Sequence, residues 1–315
     1  MAWPEKVWPI DGSSRRRLPA LHREAEFSMS GGGAWPKALL VGAADAAARK
    51  TIADMRSEPS PPKFDESSVE RFRAACEQAA TLIQSATVFH ALGAADDGVY
   101  TNYFAAVDVA SAAAFTAQID DVVLRWNEVS EKAEPNAKQS LDRQPTTLGG
   151  RPCTEYSLDV VAAEGFSDTA ELRQSMQRFF GPSGKFHLFV VSIDEHTVLL
   201  AQATADQTAA ALATIEKQGA GWTSANMNAT NRLLPERADW RFFVSPSGYT
   251  KWLKRESHAV LGDAIGAPII EEFPAAPPLG FSGGFSDRQV WMDAVVPAET
   301  VKAAAPYLKS VFAPR

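Results

Sequence analysis

The chain has 315 residues, of which 45% are hydrophobic and 22% charged, with a formal net charge of −7. That balance excludes disorder throughout, and the length allows two domains or one extended domain of stacked units. The acidic surplus argues against nucleic acid as a partner, since such binders carry a basic footprint. No apolar run reaches the roughly 18 residues that a bilayer span needs, so no span is predicted.

Residues 1–62 differ from the rest. Trp3-Pro4, Trp8-Pro9 and Trp35-Pro36 repeat one dipeptide, and Gly31-Gly32-Gly33 interrupts regular structure. Proline biases the residue before it away from the helical basin, so the region reads as an extended arm whose Trp3, Trp8 and Trp35 dock onto the body or onto another chain. Arg15-Arg16-Arg17 reads as a solvated tail. The stretch 38–44, after Lys37, is the nearest approach to a secretion signal, but it is short and ends at Asp45. Compartment therefore stays open. One helix is expected within 37–55, and the proline-rich 57–62 reads as a linker.

Unit 1 is placed at 63–150. Ser67 with Glu70 is a capping-box pattern, followed by Val69, Phe72, Cys76, Ala79, Ala80 and Ile83 on one stripe. A hairpin follows, turning near Asp96-Asp97-Gly98 with Gly98 at positive φ, and then a helix over 112–130 with Phe115, Ile119, Val122, Val123 and Trp126 on one face. Unit 2, 151–235, runs strand 154–161, a helix opened by Asp168 and Glu171, a hairpin around Asp194-Glu195, and helix 205–218. Unit 3, 236–315, runs strand 240–244, a helix capped by Ser245 with Pro246 at its first position, a hairpin around Asp287-Arg288, and a last helix opened by Pro297.

Helix, hairpin and helix recur three times, with a strand ahead of the helix in units 2 and 3. The predicted fold class is α+β, built from repeated β-α-β-β-α units of the split βαβ, ferredoxin-like type. The sheet is expected to be mainly antiparallel with helices packed on one face. In the third hairpin Phe285 faces Val290, Gly283 faces Met292 and Phe281 faces Ala294, an apolar side expected against helices. Trp291 falls opposite Gly284, where an indole can cover bare backbone. The second hairpin is apolar on both sides, with Phe189, Val191 and Leu200 on one and Leu188, Val190 and Leu199 on the other, so it is expected in the middle of the molecule.

The motifs that suggest chemistry fail on context. Gly280-Phe281-Ser282-Gly283-Gly284 has the letters of a nucleophile elbow, but a strand follows where a helix is required, and no histidine comes after His258. Gly181-Pro182-Ser183-Gly184-Lys185 lacks the glycine and the Ser or Thr of a phosphate loop and reads as a turn. Ser60-Pro61-Pro62-Lys63 fits S-x-x-K only as letters. With a two-residue loop His196 pairs with Ile193, about 20 Å along the strand from His187, too far to share a metal. The acidic pairs Asp96-Asp97, Asp120-Asp121 and Glu271-Glu272 diverge in any regular element and form no dyad in themselves. Cys76 and Cys153 show no metal-binding spacing and read as small buried hydrophobes.

No cofactor or metal is expected. The reading is a non-enzymatic binding or scaffold protein, envelope-associated in one version, with a protein partner or a second copy as partner. Trp3, Trp8, Trp35 and Trp291 are its candidate contact residues. The alternatives are a hydrolase or other enzyme with a site between units, favoured if His90, His187 or His258 lies beside a carboxylate and a hydroxyl, and a carrier of a small apolar ligand.

Overall fold

The computed structural model describes residues 25–32, 42, 46, 66–91, 97–133, 140–163, 168–217, 229–236, 238–261, 270–286 and 289–311. Trp3, Trp8, Trp35, the basic cluster at 15–17, the 57–62 linker and the Asp287-Arg288 turn lie outside them. So does most of the helix expected within 37–55, although Gly42 and Ala46 are helical.

The chain is α+β. Its strands are β1 (Ala25–Gly32), β2 (Ile83–Ala91), β3 (Tyr103–Val109), β4 (Asp142–Leu148), β5 (Arg151–Leu158), β6 (Phe186–Ser192), β7 (Thr197–Gln202), β8 (Trp240–Val244), β9 (Leu279–Ser286) and β10 (Gln289–Val295). Its helices are α1 (Glu66–Thr81), α2 (Ala112–Ala133), α3 (Val160–Ala163), α4 (Ala170–Phe180), α5 (Ala205–Lys217), α6 (Pro246–Leu261) and α7 (Ala298–Val311). Six strands pair in the order β2-β3-β7-β6-β5-β4 and three in the order β10-β9-β8, and β1 joins the two groups by pairing with both β2 and β8. Every ladder among the described strands is antiparallel.

This order is not that of a split βαβ unit. Such a unit sets the two strands that flank its helix parallel, with another strand between them. Here β5 and β6 flank α4 yet are adjacent and antiparallel, as β8 and β9 are around α6. The start of the chain also differs from the expected arm, because Ala25–Gly32 sits inside the sheet. Glycine tolerates the strand there: Gly31 lies in register between Ala86 and Trp240.

Helices cover both faces of the six-stranded part, not one. Val107, Val109, Tyr156, Val190 and Val198 pack with Phe115 and Val123 of α2 and Ala79 of α1. On the opposite face Phe89, Phe104, Phe189, Val191, Leu199 and Ala201 pack with Ala211 and Leu212 of α5. The β6-β7 hairpin is thus buried on both sides, as its composition predicts. Its sides are exchanged at the leucines, however, because Val190 pairs with Leu200 and Val191 with Leu199. The loop has three residues: the Asp194 side chain accepts from the His196 amide at 2.9 Å and Ile193 bonds to Thr197. One extra loop residue turns every later side chain to the other face.

Local chemistry sets the helix ends. Thr204 and Gln207 form a reciprocal capping box at α5, with amide-to-side-chain bonds of 2.8 and 3.3 Å. Ser245 caps α6 ahead of Pro246, as expected, by accepting from the Gly248 amide. Thr169, not Asp168, caps α4, and Asp168 instead pairs with Arg173. Ser67 lies inside α1 and accepts from Arg71. Gly98 is needed for close approach, not for positive φ: a Cβ there would stand 2.5 Å from the Phe179 carbonyl oxygen. The amides of Val99 and Tyr100 use that approach to satisfy the last carbonyls of α4. A further hairpin, β4-β5, turns on Gly149-Gly150, both at positive φ (56° and 78°), which suits a two-residue turn.

Candidate functional site

The third hairpin has the register read from the sequence, with Val290 opposite Phe285, Met292 opposite Gly283 and Trp291 opposite Gly284. The burial is reversed. Val290 is 71% and Met292 68% exposed, whereas Ser282, on the other side, is fully buried. That other side is the covered one: Phe243 of β8 and Val295 of β10 cluster with Leu234, just beyond the helical turn at 229–231. On that side the β10 residues are exposed where helices were expected, while Gly283 of β9 is buried beneath the Trp240 ring.

Trp291 occupies the outermost strand, half-buried, with its indole over Gly284. A Cβ at Gly284 would stand 2.8 Å from the Trp291 Nε1 and 2.7 Å from Asp239 Oδ2, so only glycine admits the ring. Beside it on β10 the exposed residues are Val290, Met292, Asp293 and Ala294, and Val296 follows them.

The opposite end of the sheet is β4. Asp142, Arg143, Gln144 and Pro145 are all exposed there. Arg143 grips Asp120 of α2 through Nε at 2.7 Å and a second guanidinium nitrogen at 3.0 Å. The buried Tyr156 hydroxyl donates to the same carboxylate. Arg143 holds the Asp120 carboxyl below the usual range, and burial, with that hydrogen bond, pushes the Tyr156 hydroxyl up. Asp121 turns away to Arg125 at 3.2 Å, so the Asp120-Asp121 pair is no dyad.

A second constellation lies where α4 turns into β6. Ser183, in the Gly-Pro-Ser-Gly-Lys turn, has its Oγ 2.9 Å from His187 Nε2, and His187 Nδ1 lies 2.6 Å from Glu155 Oε1 on the neighbouring β5. Ser183 is exposed, while the His187 and Glu155 side chains are mostly covered. A carboxylate only accepts hydrogen bonds, so Nδ1 carries a proton, and in the neutral imidazole Nε2 is the atom that accepts from the serine. Chemically this is a hydroxyl, a base and an orienting carboxylate in series. The serine four residues before a strand histidine was the one legible hint. Glu155 enters only through the β5–β6 register, which sets Glu155 opposite Phe189 and on the same face as His187.

The other sequence candidates are occupied structurally. Ser282 lies inside β9, buried, with no helix after it. His196 Nδ1 bonds to the Ala110 carbonyl at 3.0 Å. His90 is buried and stacks on Tyr103 at 4.2 Å. Cys153 packs on the face covered by α5, whereas Cys76 belongs to α1 across the sheet, and both are free thiols. No group of three metal-ligating side chains occurs among the described residues, and no described helix is long and apolar enough to cross a membrane. No family model, curated protein or solved structure matches the chain.

Proposed function

We propose that this protein is a binding and assembly module that works by strand addition along β10, and that its partner strand is β10 of a second copy. The observation that carries the reading is the open, apolar outer strand. Exposed sheet edges are templates for pairing unless they are blocked by charge, proline or cover. β4 has all three kinds of protection: Asp142 and Arg143, Pro145, and the Arg143–Asp120 clamp to α2. β10 has no proline and one exposed charge, Asp293, and otherwise presents Val290, Met292 and Ala294.

Self-pairing fits the strand's own sequence. A two-fold axis through Met292 would set Val290 against Ala294 of the other copy and Trp291 against Asp293, so like charges never meet. Antiparallel joining of sheet segments is also how the chain builds itself, through β8 with β1 and β3 with β7. The recurrence of strand, helix, hairpin and helix supports reading the three segments as variants of one unit, with β1, β5 and β8 each pairing with the first strand of the following hairpin.

Sedimentation velocity across a concentration series tests the proposal. Wild type should dimerise, and Met292→Lys should remain monomeric with an unchanged circular dichroism spectrum. A wild-type monomer at the highest soluble concentration, or a Met292→Lys dimer, would overturn it.

A further inference from the structure

We infer that Ser183 is a nucleophile toward small activated esters, with His187 as its base and Glu155 as the positioning residue. The site lies in the α4–β6 turn and is independent of the strand-addition reading.

The geometry supplies the parts that nucleophilic catalysis by a hydroxyl needs. The Ser183 hydroxyl has one proton. Its nearest acceptors are His187 Nε2 at 2.9 Å and the Lys185 carbonyl at 3.5 Å, and the imidazole is much the closer. The Glu155 bond at 2.6 Å holds the ring and places a proton on Nδ1, which in the neutral imidazole leaves Nε2 as the base. Phe189 lies nearly parallel to the imidazole, with ring centroids 6.1 Å apart. Gly181 and Gly184, at φ 81° and 64°, bracket Pro182 and Ser183, so the turn depends on glycine at both ends. The serine itself is exposed, open to an electrophile from solvent. The Lys185 amide already donates to Oγ at 3.2 Å, which makes it a nearby backbone donor for the carbonyl oxygen of an acyl carbon bonded to Oγ.

The chemistry balances without a metal or redox partner. Ser183 Oγ bonds to the acyl carbon as its proton passes to His187 Nε2. The bond from carbon to the leaving alkoxide then breaks, and that alkoxide takes the proton from His187. Water attacks the acyl-serine in turn, giving a proton to His187, which returns it to Ser183 as the acid departs. A single adjacent donor implies slow turnover, so covalent capture is the sharper readout.

Incubating the full-length protein with a fluorophosphonate, followed by intact mass and peptide mapping, tests the inference. The expected result is one adduct on Ser183, absent in Ser183→Ala. His187→Gln should slow labelling by about 100-fold. Glu155→Gln should slow it less, with the melting temperature unchanged, a separation that a merely structural carboxylate would not give. Ser282→Ala should label as wild type does. Wild type without an adduct at Ser183, or labelling at the same rate in a folded His187→Gln, would overturn the assignment. Should His187→Gln misfold, His187→Asn makes the same comparison.

Discussion

β4 and β10 hold the same position, each the last strand at one end of the sheet, yet β4 carries Asp142, Arg143 and Pro145 where β10 carries Val290, Met292 and Ala294. The strands inboard of them differ in the same sense. Between β4 and β1 the sheet is packed on both faces, by α1 and α2 on one and α5 on the other. At β9 one side is covered, down to the fully buried Ser282, and on β10 the other side carries exposed Val290 and Met292. Apolar side chains in a strand do not themselves determine what covers them. Two neighbouring parts of one antiparallel sheet thus divide the work, one supplying core and the other surface.

The largest expected effect separates core from surface. Leu199 is fully buried among Phe104, Val191 and Leu212, so Leu199→Ala should cost about 2–5 kcal/mol through lost contacts and a residual cavity. Met292→Ala, at an exposed site, should change monomer stability by about 0.5 kcal/mol or less. Urea unfolding at concentrations where the protein is dissociated measures both. Equal costs would mean that Met292 belongs to the core of the monomer, and the contrast between the two parts would collapse.

That contrast was only partly legible in the sequence. The register of the third hairpin could be read to the residue, because the expectation of a turn at Asp287-Arg288 sets Val290 opposite Phe285, the pairing observed. The second hairpin was misread by one position, since a polar Asp194-Glu195 pair does not announce that Asp194 will cap the His196 amide and lengthen the loop. The β4-β5 hairpin was missed although Gly149-Gly150 between two extended runs was its signal. β1 was missed for the opposite reason, since neighbouring prolines and its own glycines lower local strand propensity while pairing on both sides overrides it. The serine site was hidden more deeply. Ser183 and His187 are close in sequence, but Glu155 reaches them only through pairing of strands that flank a helix, which no local rule sets.

A smaller effect sharpens the description of the open side. Gly284→Ala would push a methyl group against the Trp291 indole and Asp239, each under 3 Å from the new Cβ. The cost should be about 1–3 kcal/mol, typical of overpacking, with a red shift in tryptophan emission as the ring is displaced toward water. Dimerisation should weaken as well if Trp291 lies opposite Asp293 of the other copy. An unchanged spectrum together with a stability loss would mean that the β9 backbone gave way and the indole kept its place.

The smallest effect concerns the protected edge and depends on pH. Asp120 is depressed chiefly by the Arg143 hydrogen bonds, so its folded value lies below the unfolded one near 3.9. Such a group contributes stability that is present above the unfolded value and is lost as pH falls through the folded one. Tyr156 is shifted the other way, upward, first by burial and then by Asp120. Its neutral form is the one the fold retains, so its contribution is present below the unfolded value, about 10, and is lost as pH rises beyond it. Acid and alkali should therefore both loosen the joint between β4, β5 and α2. Hydrogen exchange by mass spectrometry at pH 3 and pH 5, corrected for the intrinsic pH dependence of exchange, should show protection falling in peptides covering 142–158 more than in those covering 279–295. Asp120→Asn should remove most of that difference, because the amide cannot titrate, while leaving Tyr156 an acceptor for its hydroxyl. If both peptides lose protection in parallel, acid unfolds the sheet as a whole, and the Arg143 clamp is not what distinguishes the closed edge from the open one.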